Sequence, residues 1–193
     1  MTQRGYIQVY TGDGKGKTTA AIGLAVRAVG AGKKVCIIQF MKSLAYSEQK
    51  VLASLPGITL ITVGKPYFIA KEGMLTKEQL EAWGDQVTVY PAGHPPADYR
   101  AMILGGVDKA VEAVAGGYDM VILDEYNMAC WYDLATDEDT ERILAARRPE
   151  TELIITGRNA PQKLLDAADL ITEMKKIRHY YDSGVTARKG IED

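Results

Sequence analysis

Cysteine is scarce in this chain: Cys36 and Cys130 are the two in 193 residues. Cys36 falls in an apolar, strand-like stretch and Cys130 follows an acidic pair. Two thiols so placed argue for reduced cysteines in a cytoplasmic protein and against a disulfide scaffold. The two histidines, His94 and His179, are isolated from both cysteines, so no zinc-ligand spacing exists. No apolar run approaches the ~20 residues needed to span a bilayer. The N-terminus runs into a strand pattern within a few residues, which leaves no room for a signal peptide. An excess of one charge sign is also missing. The formal net charge is −2, which gives no global attraction to nucleic acid. The local basic clusters Arg147-Arg148 and Lys175-Lys176-Ile177-Arg178 read as solvated faces. No internal repeat or low-complexity tract interrupts the chain. What remains is one α/β domain over residues 1–193, long enough to bury a substantial core.

The hydrophobic pattern alternates strands with helices. Strands are expected at Tyr6–Tyr10, Lys33–Phe40, Gly57–Val63, Tyr118–Asp124, Glu152–Thr156 and Leu170–Met174. Helices are expected at Ala20–Val29, Thr76–Val87 with Thr76 as N-cap, Ala97–Ala115, Asp137–Arg147 and Pro161–Ala168. Tyr118–Asp124 is almost wholly apolar, as central parallel strands are. This order predicts a mostly parallel sheet with helices on both faces, of the P-loop NTPase (RecA-like) type. Ligands of such sheets sit at the carboxyl ends of the strands.

Between the first strand and first helix the chain reads Thr11-Gly12-Asp13-Gly14-Lys15-Gly16-Lys17-Thr18-Thr19. This is the composition and context of a phosphate-binding loop. Glycines allow a tight turn that aims successive N–H groups at one anion. The helix that starts near Lys17 adds the positive end of its dipole. Lys17 would supply a point charge to the phosphates and Thr18 a hydroxyl to Mg²⁺. The common pattern opens on glycine, and here that place holds Thr11. A second motif, Val121-Ile122-Leu123-Asp124-Glu125, ends a strand on two acids. In phosphate-loop proteins the first acid commonly reaches the magnesium, and the second can bind the metal or polarise a water. The following stretch, Tyr126 to Tyr132, reads as core, with a flat-ligand wall as the other reading. Arg158, after the strand ending at Thr156, is placed to clamp a phosphate bidentately.

These motifs together resemble the P-loop corrinoid adenosyltransferases, which move the adenosyl group of ATP to the cobalt of cobalamin or its precursors. The resemblance rests on residues 11–21, Ala25-Val26-Arg27-Ala28-Val29-Gly30, Gln39-Phe40-Met41-Lys42, Leu123-Asp124-Glu125 and Thr156-Gly157-Arg158-Asn159-Ala160-Pro161. The stretches 168–174 and 179–192 also fit, so nearly the whole chain is covered. Threonine at the first loop position is typical of the family, in which ATP lies reversed relative to ordinary P-loop enzymes. The chain departs from the pattern at Ser43-Leu44-Ala45-Tyr46, where members often carry Gly-Trp. It departs again at Gly64-Lys65-Pro66-Tyr67-Phe68-Ile69, where members carry aromatics that crowd the lower corrinoid face. Longer members have an N-terminal segment that helps cover the site; this chain, beginning at its first strand, is expected to lack it.

The resemblance implies transfer of 5′-deoxyadenosyl from ATP to Co(I), with release of triphosphate, in adenosylcobalamin biosynthesis or salvage. The acceptor is left open between cobalamin and cobyrinic acid a,c-diamide. Lys17, Thr18 and Glu125 are the expected catalytic residues. Gly12, Asp13, Gly14, Lys15, Gly16, Lys17, Thr18 and Thr19 would bind nucleotide, with Arg27 and Arg158 as further contacts. Thr18 and Glu125 would hold Mg²⁺, with Asp124 behind them or as an alternative ligand. Tyr67 and Phe68 would meet the corrinoid, in a mobile segment that orders over it. A flavodoxin or flavin reductase is the expected electron donor for Co(II), and a cytoplasmic homodimer the expected assembly, with no nucleic-acid or membrane partner. The rival readings are a RecA-like ATPase and a small-molecule kinase, both of which would yield ADP rather than triphosphate.

Overall fold

The computed structural model describes residues 4–43 and 46–192. The departure at Leu44 and Ala45 lies outside the described residues. Six strands form one parallel sheet: β1 (Ile7–Thr11), β2 (Val35–Phe40), β3 (Ile58–Val63), β6 (Met120–Asp124), β7 (Glu152–Thr156) and β8 (Leu170–Glu173). Their order is β3-β2-β6-β7-β1-β8. Parallel pairing needs crossovers, and helices supply them on both faces. Helices α1 (Lys17–Gly30) and α2 (Ser47–Ser54) cover one face. Helices α4 (Ala97–Ala115), α5 (Tyr126–Trp131), α6 (Asp137–Ala146) and α7 (Gln162–Ala167) cover the other.

The side-chain period of two divides β2 between the layers. Val35 and Ile37 join Ala21, Ala25 and Ala28 of α1, while Cys36, Ile38 and Phe40 join Tyr99, Ile103 and Val107 of α4. The alanine face of α1 lets that helix lie close to the sheet. Cys36 is fully buried, and burial pushes its thiol up to about 11, which makes it an inert core group. Among the described residues no helix is long and apolar enough to cross a membrane.

Several elements differ from the expectation. The helix predicted over Thr76–Val87 stops at Trp83, giving α3 (Lys77–Trp83), because Gly84 takes a left-handed φ of 49°. The β-branched residues beyond it form β5 (Val87–Tyr90). That strand pairs in parallel with β4 (Phe68–Lys71), so Phe68 lies in a small second sheet rather than on a loop. Thr76 does cap α3, its hydroxyl accepting from the Gln79 N–H at 3.2 Å. Helix α2 was not expected; its eight residues are too few and too polar to show a helical apolar stripe.

Register sets the stage for the site. Gln39 of β2 lies level with Asp124 of β6, and Leu123 is level with Ile155 of β7. The carboxyl ends of three adjoining strands therefore open at one height.

Candidate active site

The phosphate loop is built by close backbone approach. Gly12 and Gly14 lean on the end of β8, and a Cβ on either would come within 2.5 and 2.6 Å of the Met174 carbonyl oxygen. The Gly14 N–H donates to that same oxygen at 2.6 Å, and Gly16 turns with φ 120°. Thr11 needs no glycine: it closes β1 in extended backbone, and its hydroxyl accepts from the Ala160 N–H at 3.4 Å. Lys17 is 8 % exposed, not solvent-facing, and its Nζ donates to the Gly12 and Gly14 carbonyls at 2.7 Å each. Burial lowers its pKa, opposed by Glu125 and Asp13.

Asp13 and Lys15 engage the C-terminal segment. Asp13 accepts from the Lys176 N–H at 2.9 Å, a bond that lowers its carboxyl's pKa. Lys15 donates to Tyr180 at 3.0 Å, the Ile191 carbonyl at 3.0 Å and Glu192 at 2.9 Å. Glu192 also receives Arg188 in a forked pair and the Tyr180 hydroxyl, and the Arg188 pair holds its carboxyl far below the usual range. Residues 176–192 thus fold back over the loop.

The two acids behave differently. Asp124 is 2 % exposed and accepts four hydrogen bonds: from Thr18 at 2.8 Å, Thr156 at 2.7 Å, Gln39 at 3.1 Å and Lys42 at 2.9 Å. Its lone pairs are all in use. Glu125 has φ 60°, a left-handed conformation uncommon outside glycine, and its N–H donates to Thr156 at 3.0 Å. Among the described residues no group donates to its carboxylate. Burial raises its pKa, with the Asp124 charge adding, while Lys42, Lys17 and Arg158 pull it back. Three non-glycine residues with positive φ, Met41, Glu125 and Asn159, each follow the end of one of the adjoining strands β2, β6 and β7. Such backbone is kept where the surroundings enforce it, and it turns the next side chains across the strand ends.

Two adjoining cavities of about 460 and 620 Å³ meet above these strands, each large enough for a nucleotide-sized ligand. The one over the start of α1 is lined by Lys15 to Thr19, Lys42, Glu48 and Glu125. The other carries Arg158, Met128, Tyr132, Tyr99, Tyr67 and Phe68. Tyr67 packs edge-on to Tyr99 at 5.7 Å, and Phe68, 54 % exposed, packs edge-on to Trp83 at 4.6 Å. No described group accepts from the Arg158 guanidinium, and its loop is held by Asn127, which donates to the Gly157 carbonyl at 2.9 Å. In the 126–132 stretch Tyr126, Met128 and Ala129 are buried in core, yet Met128 and Tyr132 also border the cavity, so both readings of that stretch apply to different residues.

The structure therefore gathers Gly14, Lys15, Gly16, Lys17, Thr18, Thr19, Asp13, Glu125, Arg158, Tyr67 and Phe68 around one site, with Asp124 beneath it and Gly12 in the loop's base. Arg27 is the exception. It is exposed in the last turn of α1, ten residues and about 15 Å of helix beyond Lys17, and it borders neither cavity. For Gln39 and Thr156 the sequence carries no signal of a role; the register that levels three strand ends makes them partners of Asp124.

The fold defines an α/β protein of the P-loop NTPase-like class, with a glycine-rich loop between β1 and α1. Comparison with known proteins then places it. Residues 3–192 match the family model for ATP:corrinoid adenosyltransferase BtuR/CobO/CobP. The chain is 32 % identical over 194 residues to Corrinoid adenosyltransferase CobA of Salmonella typhimurium, covering 98 % of this chain and 86 % of that protein. It is 33 % identical over 192 residues to the Corrinoid adenosyltransferase of Escherichia coli K12, with the same coverage, and 32 % identical over 193 residues to that of Sinorhizobium sp, covering 98 % and 81 %. The chain belongs to the ATP:corrinoid adenosyltransferase family.

Proposed function

We infer that this chain transfers the 5′-deoxyadenosyl group of ATP to Co(I) of a corrinoid and releases triphosphate. The observation that carries this reading is the joining, in a member of this family, of a phosphate loop and an acid pair to a cavity walled by aromatics. In the reaction the C5′–O bond breaks with its electron pair leaving on the triphosphate, and cobalt supplies the pair that forms the Co–C5′ bond. No proton moves, so no protein general base is required. The chain's work is to orient C5′ towards cobalt, to stabilise the growing charge on the leaving triphosphate, and to keep water from the metal's free face.

Loop N–H groups and Lys17 are the groups for the leaving charge. Magnesium fits the donor set at Thr18 and Glu125. Among the described residues nothing donates to the Glu125 carboxylate, and no cluster of three His, Cys, Asp or Glu forms an all-protein cage. That suits an ion that keeps water and takes phosphate oxygens. Bound there, it would neutralise triphosphate charge. Asp124, saturated by its four donors, serves by fixing Thr18. Tyr67 and Phe68 are the groups that would meet the lower corrinoid face. A cytoplasmic homodimer, supplied with electrons by a flavodoxin or flavin reductase, completes the reading.

The test is direct. The protein is supplied with ATP, Mg²⁺ and chemically reduced cobalamin, and the products are separated. Triphosphate and adenosylated corrinoid in equal amounts are expected; ADP would sink the reading in favour of a kinase or ATPase. The same assay across cobalamin and cobyrinic acid a,c-diamide identifies the preferred acceptor.

A further inference from the structure

Lys42 stands where the two cavities meet and lines both. Its backbone position is strongly enforced. Met41 before it has φ 58°, and the Met41 N–H donates to the Val63 carbonyl at 2.6 Å. Across from it a Cβ on Gly64 would come within 2.4 Å of the Lys42 nitrogen. A left-handed non-glycine residue and an obligatory close approach are costs that a solvated lysine would not require.

Its side chain is 12 % exposed, with Nζ 2.9 Å from Asp124, 3.6 Å from Glu48 and 5.1 Å above the Tyr46 ring. Burial opposes the charge, but Asp124 and Glu48 outweigh it and hold the ammonium above the usual lysine range. The other lysines lining both cavities have different partners. Lys17 is bonded to its own loop, and Lys15 to the C-terminal segment. Asp124 would keep three donors, Thr18, Thr156 and Gln39, if Lys42 turned away. The ammonium can therefore exchange partners while the Asp124 carboxylate stays hydrogen-bonded by three neutral donors.

We propose that Lys42 is a second triphosphate-binding cation, which turns from Asp124 to a triphosphate oxygen beside the bond that breaks. This rests on the reading that residues 12–18 hold the triphosphate. When C5′–O breaks, the electron pair stays on the triphosphate oxygen, C5′ takes a pair from cobalt, and Co(I) becomes alkyl-Co(III). Lys42 keeps its proton and meets a negative charge that grows during the step. Its contact is therefore stronger in the transition state than in the ground state.

The experiment measures binding of inorganic tripolyphosphate at saturating Mg²⁺ by calorimetry, and turnover, for the parent, K17A, K42M and K42R. K42M is expected to bind tripolyphosphate roughly tenfold more weakly, with kcat falling further than KM changes, and K42R to recover most of both. K42M within twofold of the parent, with K17A weakened, overturns the assignment to Lys42 while leaving the loop reading in place. Both variants unchanged overturns the loop reading and this proposal with it. Should K42M not fold, the parent labelled with ε-¹⁵N-lysine decides. Its Lys42 signal, assigned by absence in K42R, must shift when Mg²⁺ and tripolyphosphate are added; an unmoved signal overturns the proposal.

Discussion

Lys17 has two duties that one substitution removes together. Its Nζ ties the Gly12 and Gly14 carbonyls together, and it is the loop's own cation. Lys17→Ala is expected to cut adenosyl transfer by roughly 10²-fold or more, since a charge-assisted contact to a leaving anion is lost in a water-poor site. Turnover above about a third of the parent's would refute the assignment. At the acid pair, Glu125→Gln should shift the Mg²⁺ titration of activity further than Asp124→Asn. Glu125 has the free carboxylate, whereas Asp124 accepts from four side chains. A larger shift for Asp124→Asn would reverse the roles. Glu125→Gln should also melt higher than the parent in EDTA at neutral pH. Burial raises the Glu125 pKa, with Asp124 facing it and Lys42, Lys17 and Arg158 only partly compensating. A raised carboxyl pKa means that stability is lost as pH rises through the folded value, and glutamine escapes that loss. The gain in melting temperature should fade in acid, below the unfolded carboxyl's pKa; an equal gain at every pH would mean packing, not charge, is responsible.

At the scale of elements, the small sheet of β4 and β5 governs the aromatic wall. Phe68 begins β4 and is braced by Trp83 at the end of α3, while Tyr67 rests on Tyr99 of α4. Two supports from different helices place the pair at the cavity rim. Replacing Phe68 or Tyr67 by Ala is expected to slow adenosylation when Co(II) must be reduced on the enzyme, because water then reaches the metal. The loss should be much smaller when Co(I) is supplied chemically. Equal losses in the two assays would assign these residues to general packing or binding.

For the whole molecule, the parallel sheet brings groups from distant parts of the chain to one edge. Thr18, Gln39, Asp124 and Thr156 meet around one carboxylate, and residues 176–192 close over the loop from the far end of the sequence. The chain's cap is thus partly its own C-terminal segment. The proposed homodimer should sediment at twice the 21.1 kDa chain mass. A species of single-chain mass at assay concentration, fully active, would remove dimerisation from the account.

The sequence by itself determined the α/β class, the phosphate loop, the acid pair and the family, because those signals are local. Glycine spacing, a strand ending on two acids and alternating apolar runs need no distant partner to be read. It could not show that Val87 begins a strand, since β-branched residues take up sheet structure when another strand is there to pair with, and β4 is supplied by tertiary folding. The residue types alone left Asp124 and Glu125 unranked, and the order expected for them came from the family resemblance. They are neighbours in the chain, and only register across β2, β6 and β7 saturates one with donors and leaves the other free. Arg27, which sits in a matching motif, was carried away from the site by ten residues of helix. Lys42 was carried into it by a left-handed turn and a glycine contact from the end of another strand, arrangements that exist only once the chain has folded.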